Sequence, residues 1–206
     1  MSVLNSLKVP VLTLLIVFLN AGCSEAEESQ WDMPVNYLIK VVAPQHYDVW
    51  VDTFMVESLS RDIGWRGPIG SVSCCWKAPG GKSAEWQAMP ELILIKWFSF
   101  AEQQSYRAVI KLENPDKLLE RMQQPAPAMF NGKKVNMPRH VLALGLAPGG
   151  KVVMWIMNWE ETAIEVGRYQ AARYDNKESD YTQWVEEYLE EEGDYIRAHG
   201  MQYDRW

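Results

Sequence analysis

Apolar residues along this chain fall into short runs and two-residue alternations more often than into the 3.6-residue rhythm of a helix. Val35–Val42 is rich in β-branched and aromatic residues and stops at Ala43-Pro44. Tyr47–Val56 alternates, with Asp48 and Asp52 interrupting a mostly apolar segment. Glu91–Phe98 (ELILIKWF) has the continuous apolar character of a buried strand. Tyr106–Leu112 alternates, with Arg107 and Lys111 outward, which predicts an antiparallel pair with it. Residues 140–157 carry the clearest hairpin. His140–Leu146 and Lys151–Met157 are apolar on both faces, which predicts a central position, and Ala147-Pro148-Gly149-Gly150 supplies the turn. Ser71–Trp76 and Ala163–Ala171 read as further strands, whereas Ser60–Gly70, with Gly64, Gly67 and Pro68, reads as loop.

Two segments follow helical spacing. Asn114-Pro115-Asp116 opens a short helix through about Gln124, with Asn114 as cap and Pro115 in the first turn; Pro125 and Pro127 end it. Asp180 caps a second helix, in which Tyr181, Trp184, Val185, Tyr188 and Leu189 recur at i, i+3, i+4, i+7 and i+8 and form one face. The other face holds Glu186, Glu187 and Glu190, followed by Glu191 and Glu192. The stretch from Glu178 to Asp194 contains eight acids and no Lys or Arg. A solvated helix face is the plain reading. The functional one is a docking surface for a basic partner, with Glu186, Glu187, Glu190 and Glu191 as contact residues. Together the elements predict an α+β fold, mainly antiparallel β, as a sandwich or curved sheet with a short central helix and a C-terminal amphipathic helix.

The first residues tell a different story. Lys8 and the amino terminus give a weakly positive start, and Val9–Leu19 is apolar except for Pro10 and Thr13. A spanning helix needs ~20 apolar residues, so this run is a signal-peptide core. Asn20-Ala21-Gly22 then leads into Cys23, an arrangement that resembles the lipobox of bacterial lipoproteins, whose cysteine is acylated and becomes the first mature residue. Asn20 stands where that pattern has a larger apolar residue. The competing reading is an ordinary secretory signal that leaves Cys23 a spare thiol. The lipobox reading divides the chain into a signal at 1–22, a polar, acidic tether at 23–34 and one globular β-rich domain at 35–206. On the same lipoprotein resemblance, Ser24 directly after the cysteine implies sorting to the outer membrane, facing the periplasm.

Charge and cysteine usage narrow the classes. The formal charge is −7, and loss of Lys8 with the signal makes it more negative, which disfavours nucleic acid and direct adhesion to anionic lipid. Ten Trp and nine Tyr suit core and cross-strand packing, or a protein-binding face where aromatic anchors concentrate. Cys74 and Cys75 are adjacent. A disulfide normally wants Cα atoms ~4.4–6.8 Å apart, whereas neighbours across a trans peptide sit near ~3.8 Å. In extended chain the two side chains point to opposite faces, so two packing residues is the plain reading and a redox pair the alternative.

A search for catalytic groups yields little. His46, His140 and His199 match no metal-ligand spacing. Gly70-Ser71-Val72-Ser73 lacks the second glycine of a nucleophile elbow, and Gly149-Gly150-Lys151 lacks the rest of a phosphate-binding loop. No catalytic residue, metal site or cofactor is expected. An enzyme would require a pocket that gathers His46 or His140 with a carboxylate and a serine.

Three stretches carry a family likeness: Ala43-Pro44-Gln45-His46-Tyr47 with the following strand; MPELILIKWFSFAEQQSYRAVIKL; and VLALGLAPGGKVVMW with EVGRYQA. They resemble the bacterial lipoprotein family catalogued as domain of unknown function 2931, over most of Val35 to Ala171. The hairpin GLAPGG-K-V-V-x-W followed by E-V-G-R-Y-Q is the most specific part. Cys74-Cys75-Trp76 departs from the pattern, which has glycines around the tryptophan, and the acidic helix lies outside it. The resemblance implies an envelope lipoprotein, held at a membrane through Cys23. Some members resemble immunity proteins encoded beside type VI secretion lipase effectors, which makes such an effector the expected partner. A structural or accessory envelope lipoprotein without a toxin partner is the alternative.

Overall fold

The computed structural model describes residues 29–30, 35–78, 80–158 and 162–206. Cys23 and the signal lie outside them, as does most of the 23–34 tether. Two sheets face each other. One contains β2 (Leu38–Val42), β6 (Lys82–Glu85), β11 (Val141–Ala147), β12 (Lys151–Met157) and β13 (Ile164–Gln170), in the order β13-β12-β11-β2-β6. The other runs β14-β8-β7-β3-β4, from β3 (Val49–Ser58), β4 (Ile63–Arg66), β7 (Leu92–Ser99), β8 (Gln104–Lys111) and β14 (Ala172–Tyr174), with β5 (Gly70–Val72) also paired to β3. A three-stranded sheet of β1 (Ser29–Gln30), β10 (Lys133–Pro138) and β9 (Pro125–Phe130) stands apart. Pairing is antiparallel except between β2 and β11 and between β1 and β10. The fold is thus the mainly antiparallel α+β sandwich that the alternation implies.

Strand periodicity explains the core. Ile39 and Val41 of β2, Leu142 and Leu144 of β11 and Met154 and Ile156 of β12 meet Val51, Phe54, Ile93, Ile95 and Ile110 from the opposing sheet. Fully burying each such side chain contributes roughly 1.5–3 kcal/mol before entropy is counted. The β11–β12 hairpin is apolar on both faces because its other side is also covered. There Ala143, Val153 and Trp155 lie beneath Cys75 and Trp76. Its turn docks as well: the Gly149 N–H donates to Glu102 Oε1 at 3.0 Å, and the Tyr106 hydroxyl donates to the same oxygen at 2.9 Å.

The first helix, α1 (Pro115–Gln123), buries Leu118 and Met122 against the sandwich. Asn114 occupies the cap position without a side-chain capping bond, and Pro115 starts the helix. The second, α2 (Thr182–His199), begins after Tyr181 rather than Asp180. Asp180 still serves the start, accepting from the Thr182 N–H at 3.0 Å and its hydroxyl at 2.7 Å.

Several segments differ from expectation. Residues 60–70 are not all loop, since Ile63–Arg66 pairs with the end of β3. The prolines after α1 do not merely stop a helix; Pro125 and Pro127 lie in β9, an edge strand, where a missing N–H is tolerated. The β9–β10 hairpin turns at Asn131 (φ 49°) and Gly132 (φ 76°), a two-residue connection that favours Asn-Gly because both residues adopt positive φ. Ser29–Gln30, inside the expected tether, pairs with Val135–Asn136 of β10.

Candidate functional site

The outer face of the β3–β7–β8 sheet is where α2 lies, and the local sequence of β3 prepares it. Trp50 pairs with Phe98, and Val51 with Trp97; the next pairing is Thr53 with Lys96. Asp52 is therefore the extra residue of a β-bulge, a device that bends a strand and re-aims a side chain. The bulge also shifts the phase of the alternation, so Val49, Val51, Phe54 and Val56 all point inward.

Helix α2 docks on this face through a ladder of aromatic contacts. Tyr181 stacks on Phe98 with ring centroids 4.0 Å apart, Tyr188 on Phe100 at 5.7 Å and Trp184 on Trp50 at 4.3 Å. Polar atoms at the ring edges complete the attachment. The Tyr181 hydroxyl donates to Asp52 Oδ2 at 2.6 Å and the Tyr188 hydroxyl to the His46 carbonyl at 2.7 Å. Further along, His46 Nδ1 sits 2.6 Å from Glu192 Oε2 while Tyr195 stacks on its ring at 3.7 Å. The Tyr47 hydroxyl donates to the Gly200 carbonyl at 3.0 Å. Tyr181 and Tyr188 are buried, with Val185 and Ile196 packed beside them; Trp184 covers Trp50 at the rim of the same contact and stays 37 % exposed, and Leu189 is 39 % exposed.

Electrostatics at this junction follow from burial. Desolvation, then Glu192 and Glu191, push the Asp48 carboxyl up to about 7, with His46 acting the other way. Burial also raises Asp52, although the Tyr181 hydrogen bond opposes it. The Tyr181 phenol is raised by burial first and the Asp52 carboxylate second. The predicted contact residues Glu186, Glu187, Glu190 and Glu191 all project to solvent. Gln183 Nε2 donates to Glu187 at 2.9 Å, and among the described residues none of the four carboxylates forms an ion pair.

The remainder of the same sheet face bears a feature that the strand-by-strand reading missed. Met55, Leu94 and Val109 stand in register on three adjacent strands. Met55 and Val109 are exposed, Val109 to 72 %, and Leu94 is half-buried. The row beside it is Thr53, Lys96 and Arg107. Each strand's outward apolar residue was visible in the sequence; their alignment needs the register. An apolar row flanked by charge has the composition of a protein-contact patch.

The other singled-out residues lie elsewhere. The Cys74 and Cys75 sulfurs are bonded to each other. The expectation of opposed side chains fails because Cys75 has φ 82°, which turns the chain and brings both sulfurs to one side. The pair is on the outer face of the other sheet, where neighbouring Trp76 makes edge contacts with Trp155 and Trp206 at 4.8 and 5.3 Å. His140 is engaged by Asn158 Oδ1 at 2.8 Å, and His199 by the Tyr195 carbonyl at 3.0 Å. Cys23 lies outside the described residues.

No curated protein and no solved structure matches the chain. Residues 24–204 match the family DUF2931, described as a protein of unknown function. That match spans both sheets, the three-stranded arm and both helices, and on that extent the chain belongs to the DUF2931 family.

Proposed function

We propose that this protein is a lipid-anchored envelope protein that acts by binding another protein. Specifically, it is an immunity protein that neutralises a type VI secretion phospholipase effector. The observation that carries the reading is the attachment of α2: stacked rings and phenolic hydrogen bonds fix the helix, so Glu186, Glu187, Glu190 and Glu191 project from a pre-organised surface. Pre-organisation lowers the ordering cost of association, and a single-signed edge accelerates encounter with a basic partner. The Met55–Leu94–Val109 row, exposed at Met55 and Val109, offers apolar contact on the same sheet face. Acylation at Cys23 supports the role by holding the domain at the outer membrane, in the periplasm, where such a toxin acts.

The experiment is binding to a phospholipase effector encoded in the adjacent reading frame. Reversing Glu186, Glu187, Glu190 and Glu191 to Lys should slow association by about tenfold or more at low salt and flatten its salt dependence. Unchanged association after reversal removes α2 from the mechanism. If deletion of the gene damages the envelope without an attacking neighbour, and the effector does not bind, the accessory-lipoprotein reading takes its place.

A further inference from the structure

Cys74–Ala78 folds as a lid over the outer face of β2, β11 and β12, and the bond between its first two residues lies at its start. Val42, Ala143, Val153 and Trp155 lie beneath Cys75 and Trp76. Trp76 is held edge-on between Trp155 and Trp206, and the Lys77 ammonium stands 5.7 Å over the Trp155 ring. The Ala43 N–H donates to the Cys74 carbonyl at 3.2 Å, and the Ala78 N–H returns to the Cys75 carbonyl at 2.9 Å. The lid also covers a cation. Lys40 alternates with the inward Ile39 and Val41 of β2, is 6 % exposed, and donates from Nζ to the Ala78 carbonyl at 2.6 Å.

Two observations tie this lid to the sulfur–sulfur bond. Cys75 has φ 82° and Lys77 φ 60°, both in the left-handed region, which is unfavourable for a residue with a Cβ. At Cys75 the bond closes a small ring through the intervening peptide, and the ring holds that backbone in place. Gly80 lies against the sulfurs: a Cβ there would overlap Cys75 Sγ and come within 3.3 Å of Cys74 Sγ. Bonded sulfurs fit this space, whereas two thiols must stand apart at van der Waals distance and press on the returning chain. Both cysteines are half-buried rather than sealed in, so an incoming thiolate has access to them.

We infer that Cys74–Cys75 is a thiol–disulfide exchange site, and that its reduction by a dithiol, of the class carried by dithiol oxidoreductases, opens the Cys74–Ala78 lid. A thiolate of the dithiol attacks one sulfur, the S–S bond breaks, a mixed disulfide forms and the other cysteine leaves as a thiolate. The second thiolate of the dithiol then displaces the first cysteine. The protein gains two electrons and two protons, and the dithiol departs as a disulfide. With the ring open, Cys75 relaxes out of the left-handed region, its sulfur withdraws from Cys74, and the Ala78 carbonyl leaves Lys40. Burial holds the Lys40 amine down at about 8, so hydration of the freed ammonium favours the open state. Opening bares Trp155 and its apolar neighbours, a surface of the kind used for protein contact. None of this draws on the effector reading or on Cys23.

The test uses the full chain purified without reductant, with dithiothreitol as the dithiol. Alkylation by iodoacetamide, read by mass spectrometry on the tryptic peptide that ends at Lys77, reports these sulfurs apart from Cys23. Both should be blocked before reduction and modified after it. Opening is read separately, from acylation of Lys40 by an amine-reactive ester relative to the exposed Lys111. Lys40 should label severalfold faster in the reduced protein, with the circular dichroism spectrum unchanged. Cys74→Ser with Cys75→Ser should label at the fast rate with or without dithiothreitol. Cys74→Ser with Cys75→Gly, in which position 75 takes a positive φ at no steric cost, should label slowly in both. Sulfurs that alkylate before reduction, or Lys40 labelling that reduction leaves unchanged, overturn the proposal. Fast labelling of the glycine variant does so too, since the backbone at Cys75 would then not govern the lid.

Discussion

Tyr181 donates its phenolic hydrogen to the Asp52 carboxylate at 2.6 Å, and Asp52 is the residue that the β3 bulge leaves without a partner in β7. One irregularity in a strand thus sets where a helix more than a hundred residues later begins. Asn176 Nδ2 donates to the same phenol at 2.9 Å, so the oxygen acts as both donor and acceptor. Tyr181→Phe keeps the stacking on Phe98 and removes this oxygen. The half-buried carboxylate then loses its donor, at a cost of about 1 kcal/mol. Urea denaturation should show a lower midpoint, and a double-mutant cycle with Asp52→Asn should show coupling. Additive single and double variants would mean that the bond contributes nothing to the docking of α2.

The Asp48 carboxyl makes stability depend on pH in a definite direction. Its folded pKa is raised to about 7 from the ordinary 3.8 by burial and by Glu192 and Glu191, with His46 opposing. The folded protein holds this proton more tightly than the unfolded chain. Its contribution is therefore fully present below about pH 4 and is lost as pH rises toward 7. Asp48→Asn removes the loss without removing the bulk. The variant should exceed the wild type in urea midpoint at pH 8, and the gap should close as pH falls to 4. A gap that is constant with pH would show that Asp48 ionises in the folded protein as it does in the unfolded chain.

What the sequence made legible, and what it hid, follows from burial. The β11–β12 hairpin was readable because both of its faces are covered and both are apolar. Four of the strands that escaped notice, Ile63–Arg66, Lys82–Glu85, Pro125–Phe130 and Ala172–Tyr174, are edges of their sheets, whereas Lys133–Pro138, also missed, is the middle strand of the small sheet. An edge strand needs no alternating apolar face, and Lys82–Glu85 is almost wholly polar. Asn131-Gly132 did carry a hairpin signal, masked by the prolines before it. For α2, helical spacing located the element and its docking rings but placed Leu189, which is 39 % exposed, among them. Which rings are buried is decided by Phe98, Phe100 and His46, all distant from α2 in sequence, and periodicity holds no information about them. The acidic edge was legible because exposure leaves composition unconstrained by packing.

Gly145, in the centre of β11, tests the packing of the Trp76 lid. A Cβ there would overlap the Trp76 ring and come within 2.7 Å of Trp155. Both rings are hemmed in, since Trp155 is buried and Trp76 also touches Trp206. Gly145→Ala should therefore destabilise the protein by about 1–3 kcal/mol and change tryptophan fluorescence in the folded state. An unchanged thermal midpoint would show that the Trp76 loop moves aside without penalty.

Cys23→Ser separates address from architecture. Among the described residues the buried hydrophobic core starts at Ile39, and the first pairing is that of Ser29. The variant should retain its circular dichroism spectrum and its urea midpoint. It should carry no acyl mass and be lost from the outer-membrane fraction, because no lipid chain then holds it there. Under the immunity reading it should also fail to protect cells from the effector while binding that effector normally in solution. Full retention in the outer membrane, or full protection, would show that Cys23 is not the anchor.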